Sequence, residues 1–148
     1  MIPTVDLTGS DVEHQLDHAL QRFGFVELVG HGVDPRDRAT LWAAMDELFA
    51  LPVDVKRRHV VEDPVANRGY RERGSEALSY SLGVASPPDL FESFNVGHDD
   101  RGPGALFAPT PWPDEAPTFA PAVRTHLRAM AELSARLDAV IGAIIGLP

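Results

Sequence analysis

The sequence predicts an α+β fold made of three amphipathic helices and a few short strands. Apolar residues repeat at helical spacing in two segments of the first 50 residues and again over 121–147, and short runs of β-forming residues flank the first of these helices. The region before the last helix is rich in proline and glycine, so it cannot hold regular structure for long. The predicted strands are too few to close a barrel.

The composition is that of one globular domain and excludes several classes of function. The chain has 148 residues, of which 44% are hydrophobic and 24% charged. Its net charge of −9 argues against a nucleic-acid partner, because affinity for phosphate comes mainly from Lys and Arg. The chain has no cysteine, which excludes thiol nucleophiles and fits a cytoplasmic protein. Its first residues lack the basic and long apolar regions typical of a signal peptide, and no apolar run is long enough to span a bilayer, so we expect no membrane partner.

The first elements predicted are a strand, a helix and a second strand. Ile2–Leu7 has the character of an edge strand, and Ser10–Glu13 forms a capping box that starts the helix. Gly24 ends this helix, and Phe25–Val29 is predicted to be a short buried strand. The buried stripe of the helix is predicted to contain Val12, Leu16, Ala19, Leu20 and Phe23.

The second helix has clear signals at both ends. Asp34 is its predicted cap, Pro35 occupies the first helical position, and Leu51-Pro52 ends it. A short helical turn within 53–62 and extended segments at 78–84 and 90–96 follow. The buried face of the second helix is predicted to contain Leu41, Trp42, Met45, Leu48 and Phe49.

The last two segments are a connecting loop over 97–121 and a long helix over 121–147. A helix of this kind is roughly 37 Å long at 1.5 Å per residue, and its apolar seam must be buried against something large. We therefore expect a partner layer that these residues do not supply. The alternative is a homodimer formed through the same helix.

Two histidine patterns are candidates for metal ligands. His14 and His18 are four residues apart on the first helix, the spacing of a two-histidine zinc site, but both lie opposite the apolar stripe, which favours a solvated face. His98 and Asp100 match the H-x-D part of a non-haem iron site, with His126 as the downstream candidate for a third ligand. His126 falls on the long helix, so a solvated turn at 97–104 is favoured.

No motif for a serine hydrolase, a nucleoside triphosphatase or a dinucleotide-binding protein occurs. One basic cluster stands out in the acidic chain, and an Arg fork beside a Tyr hydroxyl suits a substrate carboxylate. The alternative is an exposed charged loop neutralised by Glu72 and Glu76. The cluster consists of Arg68, Arg71 and Arg73 around Gly69-Tyr70.

Six short segments follow one another in an order that is informative. They are Ile2–Leu7, Phe23–Gly32, Leu48–Pro52 followed by Lys56, Gly69-Tyr70, Asp89–Gly97 and Pro111-Trp-Pro113. Each segment is common alone, but six in one order cover nearly all of residues 1–148. This order resembles the N-terminal region of the isopenicillin N synthase-like Fe(II)/2-oxoglutarate-dependent dioxygenases.

The resemblance implies a double-stranded β-helix (jelly-roll) oxygenase in which this region supplies flanking helices and outer strands, with the barrel incomplete. It also implies Fe(II) and 2-oxoglutarate as cofactors, held by motifs that follow the long helix in the family. His98–Asp100 and Arg73–Ser75 spell such motifs but precede that helix, so neither is assigned. The loop around the Gly-Tyr pair borders the substrate pocket in the family, which makes Asn67, Arg68 and Tyr70 the expected substrate-binding residues. His31 is expected to be a turn residue.

We therefore expect the N-terminal portion of an oxygenase that acts on a small molecule by hydroxylation, desaturation or ring closure. The catalytic half, in the same or a separate chain, is the expected partner, and this chain alone is expected to be inactive and to bind neither cofactor. The alternative is a non-enzymatic accessory or dimerisation module that pairs through the 121–147 helix. A third hypothesis is a helical metal-binding protein that uses His14 and His18.

Overall fold

The computed structural model describes residues 1–63, 65–75, 77, 87–97, 99 and 108–147. The chain divides into two compact units, one made of Met1–Leu41 with Ala122–Pro148 and the other of Trp42–Pro121. In chain order the elements are β1 (Thr4–Asp6), α1 (Val12–Phe23), β2 (Glu27–Val29), α2 (Pro35–Ala50), α3 (Val53–Arg57), β3 (Gly69–Arg71), β4 (Ser93–Asn95) and α4 (Phe119–Ile145).

The first unit contains a β–α–β arrangement. Strands β1 and β2 are parallel, with Thr4 opposite Glu27 and Asp6 opposite Val29, and α1 connects them. The apolar face of α1 packs inward, and the buried residues of this part are Val5, Leu16 and Ala19. The predicted order of strand, helix and strand is therefore confirmed.

The start of α1 differs from the prediction. The helix begins at Val12 with Asp11 as its N-cap residue, and no side chain caps it, so the capping box at Ser10–Glu13 was wrong. Its end agrees with the prediction, because Gly24 adopts the left-handed conformation (φ 75°) and donates its N–H to the Leu20 carbonyl.

The burial predicted for β2 and the end of α1 was also wrong. The side chains of Phe25 and Val29 are 55% and 40% exposed, and Leu20 and Phe23 are exposed as well. Apolar composition was used as the signal for burial, but no described residue covers this side of β2. Composition predicts that a surface is apolar, and burial additionally requires a covering layer.

Helix α2 has the predicted bounds. The Asp34 carboxylate accepts the Arg36 N–H at 2.8 Å, which caps the helix ahead of Pro35. Leu48 is buried as predicted, but Trp42 is 60% exposed and Ala44 is buried. The prediction that Trp42 is buried was wrong, because an apolar residue at helical spacing is buried only where another layer covers it.

The second unit contains α3 and an antiparallel ribbon of β3 and β4. Gly69 is opposite Asn95 and Tyr70 is opposite Phe94. The Phe94 ring packs edge-on against Phe119 at 5.3 Å, and Trp112 lies 5.9 Å from the same ring. Strand β4 lies within the predicted extended segment 90–96, whereas the segment at 78–84 lies outside the described residues.

Helix α4 begins two residues before the predicted long helix and includes Pro121 in its first turn, where a proline is tolerated. Ile141 and Ile145 on this helix are 39% and 62% exposed. Within the first unit, the Arg136 side chain donates to the His31 carbonyl at 3.0 Å. The His31 ring nitrogen accepts the Val33 N–H, as expected for a turn residue. No described helix is long and apolar enough to cross a bilayer.

Residues 108–118 of the predicted connecting loop contain no helix or strand. Much of the remainder of that loop lies outside the described residues. The described strands form two separate two-stranded sheets, and they do not close a barrel.

Candidate functional site

The segment 67–70 leads into β3 and holds the three residues that were predicted to contact substrate. Asn67 is exposed, and its backbone has a positive φ of 44°, a conformation that Asn tolerates better than most residues. Arg68 and Tyr70 are buried, with 9% and 1% exposure. Within the described structure, Asn67 is therefore the member of the three whose side chain is accessible.

The Tyr70 hydroxyl and the Lys56 ammonium meet at one carboxylate oxygen of Glu92. The hydroxyl donates to Oε2 at 2.5 Å, and Lys56 Nζ donates to the same oxygen at 2.8 Å. Lys56 Nζ also donates to the Phe49 carbonyl at 2.9 Å and lies 5.5 Å from the centre of the Tyr70 ring. Lys56 is 6% exposed. We call Lys56, Tyr70 and Glu92 the Glu92 junction.

The junction fixes the protonation of its acidic groups. Burial of Tyr70 and its hydrogen bond to Glu92 raise the pKa of the phenol to about 12. Burial opposes ionisation of Glu92, but the hydrogen bonds from Lys56 and Tyr70 outweigh it and hold the pKa of this carboxyl below its usual value. At neutral pH the junction therefore contains a carboxylate that accepts one charged and one neutral donor.

The Arg68 side chain reaches from the residue before β3 to Gly97, which follows β4. Its Nη1 donates to the carbonyls of Ala66 and Asn67 at 3.3 and 3.0 Å. A Cβ atom placed on Gly97 would lie 2.0 Å from the other terminal nitrogen, so the guanidinium lies directly against the Gly97 backbone. On the same ribbon, Asn95 Nδ2 donates to Asn67 Oδ1 at 2.7 Å.

His59 connects the end of α3 with two other segments. Its carbonyl accepts the Tyr70 N–H at 2.9 Å, and its Nε2 lies 3.2 Å from the Glu115 carboxylate. Pro111 also approaches this point, because a Cβ on Gly69 would be 2.9 Å from the proline Cγ. The proline-rich segment and the 67–70 segment are thus held at the same place in the second unit.

The basic cluster predicted around Tyr70 is not a single exposed loop. Arg68 is buried, Arg71 is half-buried and Arg73 is exposed. The Glu72 carboxylate binds Arg57 of α3, outside the cluster, with Nε to Oε2 at 2.8 Å. Glu76 lies outside the described residues.

The described residues do not fit a bound iron. No three histidine or acidic side chains among them come close enough to hold a metal ion. His14 is 78% exposed and lies 3.4 Å from Asp11, as expected for a solvated face. His98 and Asp100 lie outside the described residues. No chemical step through iron or 2-oxoglutarate is therefore assigned to the described part of the chain.

Comparison with known proteins identifies the family. The model of the N-terminal region of the non-haem dioxygenase in morphine synthesis matches residues 2–115. The chain belongs to this family. Among curated proteins, this dioxygenase N-terminal region is 30% identical to the 2-oxoglutarate-dependent dioxygenase caaD of Aspergillus niger, over 99% of the chain and 49% of the relative. It is 27% identical to validamycin A dioxygenase of Streptomyces hygroscopicus subsp. limoneus, over 99% of the chain and 44% of the relative.

Solved structures show the same fold. A 2OG-Fe(II) oxygenase family protein of Caulobacter crescentus matches with a TM-score of 0.76 and 24% identity, over 99% of this chain and 49% of that one. The dioxygenase for auxin oxidation of rice matches with a TM-score of 0.63 and 28% identity, over 99% and 46%. The chain spans about half the length of the curated relatives it matches. The expected fold, the N-terminal portion of an Fe(II)/2-oxoglutarate oxygenase, is confirmed.

Sequence reasoning gave no role to Lys56 or Glu92. Both lie in segments that carried the family resemblance, but they are 36 residues apart and meet only through the fold. The one signal available was a lone lysine close to the apolar end of α2. A single lysine on a short helix is usually solvated, so this signal could not identify a buried pair.

Proposed function

We propose that this chain is the N-terminal portion of an Fe(II)/2-oxoglutarate-dependent oxygenase that acts on a small molecule by hydroxylation, desaturation or ring closure. The observation that carries the proposal is the alignment of 99% of the chain with about half of two relatives named as dioxygenases, one of them a 2-oxoglutarate-dependent dioxygenase. In that reaction class iron activates oxygen, and 2-oxoglutarate supplies electrons as it is decarboxylated to succinate. We extend the proposal to a cytoplasmic location, on composition alone.

The catalytic half is the partner that we propose for this chain. Its contribution would be the ligands for Fe(II) and 2-oxoglutarate, which the described residues do not assemble. The exposed apolar side chains of Ile141 and Ile145 on α4 support a covering layer from that half. A second copy of this chain, docked through α4, is the competing occupant.

The segment 67–70 is our proposal for the substrate-facing part of this chain. Asn67 presents an exposed amide at the end of the β3–β4 ribbon, where it can exchange hydrogen bonds with a polar group of the substrate. Arg68 supports the segment from beneath through its bonds to the Ala66 and Asn67 carbonyls. Tyr70 holds the segment to the junction and, because it is buried, contributes indirectly.

The experiment compares the isolated chain with a fusion of residues 1–148 to the C-terminal half of Aspergillus niger caaD. We expect the isolated chain to take up no stoichiometric Fe(II) by calorimetry and to release no succinate from 2-oxoglutarate. We expect the fusion to consume 2-oxoglutarate, and an Ile141→Asp/Ile145→Asp version of it to lose that activity.

Two outcomes would contradict the proposal. Succinate release by the isolated chain would show that it is catalytically self-sufficient. A stable dimer in sedimentation equilibrium, dispersed by Ile141→Asp/Ile145→Asp and accompanied by an inactive fusion, would instead favour the accessory module.

A further inference from the structure

The Glu92 junction joins Tyr70 of the proposed substrate segment to Glu92, the residue that directly precedes β4. We propose that Lys56, Glu92 and the Tyr70 hydroxyl are positioning residues, which hold Asn67 in the orientation that it presents to substrate. This inference rests on the proposed function for its biological meaning. In physical terms, the buried Glu92 junction controls the orientation of the exposed Asn67 amide. All of these residues belong to the second unit.

The junction connects three separate segments at one oxygen atom, and a fourth segment through Lys56 Nζ. Glu92 Oε2 receives Lys56 Nζ from α3 and the hydroxyl of Tyr70 from β3, and Glu92 itself directly precedes β4. Lys56 Nζ adds a bond to the Phe49 carbonyl near the end of α2. The beginning of β4 is therefore fixed to two helices as well as to its partner strand.

An ionic junction fixes position more narrowly than apolar packing would. Removing two charges from water is costly, and replacement of a buried ion pair by well-packed apolar residues is often neutral or stabilising. Hydrogen bonds to a charged group are directional, so both donors must point at the same carboxylate oxygen. A cluster of Leu and Met at these positions would bury comparable surface without this directional constraint.

The constraint reaches Asn67 through the register of the ribbon. Tyr70 is opposite Phe94 and Gly69 is opposite Asn95, so fixing Tyr70 against Glu92 also fixes Asn95. Asn95 Nδ2 then donates to Asn67 Oδ1 at 2.7 Å. Asn67 has a left-handed backbone (φ 44°), a conformation that persists in a non-glycine residue when its surroundings impose it.

The test is amide NMR on the 148-residue chain. Lys56→Met removes the cation, and Tyr70→Phe removes only the hydroxyl oxygen. In each variant we expect the side-chain amide signals of Asn67 and Asn95 to shift towards those of free asparagine. We expect hydrogen exchange of the Asn95 side-chain amide to quicken by about ten-fold, as for loss of one charge-assisted hydrogen bond. Lys56→Arg keeps a cation and should retain much of the native pattern.

Arg57→Met is the matched control. Arg57 neighbours Lys56 on the same short helix and is bound to Glu72, so its loss also removes an ion pair. We expect it to leave both asparagine signals unchanged. If Lys56→Met does not fold, Tyr70→Phe decides the question, because it deletes one atom and leaves the ring in place.

Native asparagine signals in a folded Tyr70→Phe chain, or equal shifts in Arg57→Met, would overturn the inference. A cluster that merely stabilised the fold would lower the melting temperature and leave the two amides unchanged in the folded population. The proposed function fails separately, by succinate release from the isolated chain or by a stable dimer of the chain together with an inactive fusion. The two proposals can thus be rejected independently.

Discussion

Gly69 occupies a position that no side chain can enter without a rearrangement. Its φ is 80°, and a Cβ there would lie 2.1 Å from the His59 carbonyl oxygen and 2.9 Å from Pro111. The close approach allows the His59 carbonyl to accept the Tyr70 N–H. The Gly-Tyr pair was singled out because it belongs to the family resemblance. The structure shows why the first residue is glycine: a side chain there would clash with the His59 carbonyl.

We expect Gly69→Ala to lower the free energy of unfolding by about 2–4 kcal/mol, because the new methyl group clashes with backbone atoms and the residue keeps a positive φ. The control is Gly142→Ala in α4, where nothing lies within 4 Å of the added carbon. That substitution should raise stability by about 0.5 kcal/mol, since alanine favours a helix over glycine. Urea denaturation measures both, and equal effects would contradict the argument.

Ionisation of the Tyr70 phenol should destabilise the folded chain at high pH. Burial, then the bond to Glu92, raises its pKa from 10.0 to about 12 in the folded state. Since the folded pKa is above the unfolded one, the stabilisation is complete below pH 10 and is lost as the pH rises through 12. Unfolding curves from about pH 9 to 12 should show this loss in the parent chain. A loss of the same size in Tyr70→Phe would disprove the assignment.

The helices differ in how much of their apolar surface the described chain covers. Phe119, at the start of α4, is 3% exposed and packs on Phe94 and Trp112. Ile145, at the other end of the same helix, is 62% exposed. A continuous apolar seam in sequence therefore corresponds to one buried end and one open end. The periodicity that predicted the helix carries no information about which part of it is covered.

We expect Phe119→Ala to lower the free energy of unfolding by about 3–5 kcal/mol, since it leaves a cavity between two aromatic rings. Ile145→Ala should change it by no more than about 0.5 kcal/mol in the isolated chain. Thermal or urea unfolding followed by circular dichroism compares the two. A large effect at Ile145 would show that the chain covers its own helix end and would remove one support for a missing partner.

For the whole chain, the free energy of unfolding should fall in acid, because two carboxylates that are hydrogen-bonded in the folded state become protonated. The pKa of Glu72 is lowered by its hydrogen bond and ion pair with Arg57, and that of Glu92 is lowered by bonds from Lys56 and Tyr70 in spite of burial. In the folded chain both carboxyls have pKa values below the usual 4.5. The stability that their ionised forms contribute is therefore complete above pH 4.5 and is lost as the pH falls through the folded pKa values.

The measurement is the free energy of unfolding between about pH 6 and pH 3 for the parent chain and its glutamine variants. Glu92→Gln should flatten the decline, and Glu72→Gln/Glu92→Gln should flatten it further. A decline as steep as that of the parent chain in the double variant would show that other groups control acid unfolding.

Part of the fold was predictable because the information is local. The Asp34 cap and the bounds of α2 follow from neighbouring residues, and the structure reproduces both. The substrate segment around Gly69-Tyr70 came from the family resemblance and stays a prediction. The exposure of Trp42 and β2 was not predictable, because it depends on the layers that are present around an apolar surface. Lys56 and Glu92 were missed because each is an ordinary charged residue until the chain brings them together.

The sequence by itself determined the family, the order of helices and strands, and the acidic, cysteine-free character of the chain, because periodicity, caps and motif order are properties of neighbouring residues. Only the tertiary structure decided that Tyr70 is a buried donor, that Glu92 joins two donors at one oxygen, and that Asn67 is the accessible residue of its segment. Each of these depends on contacts between residues far apart in the chain, and burial and hydrogen bonding arise from such contacts.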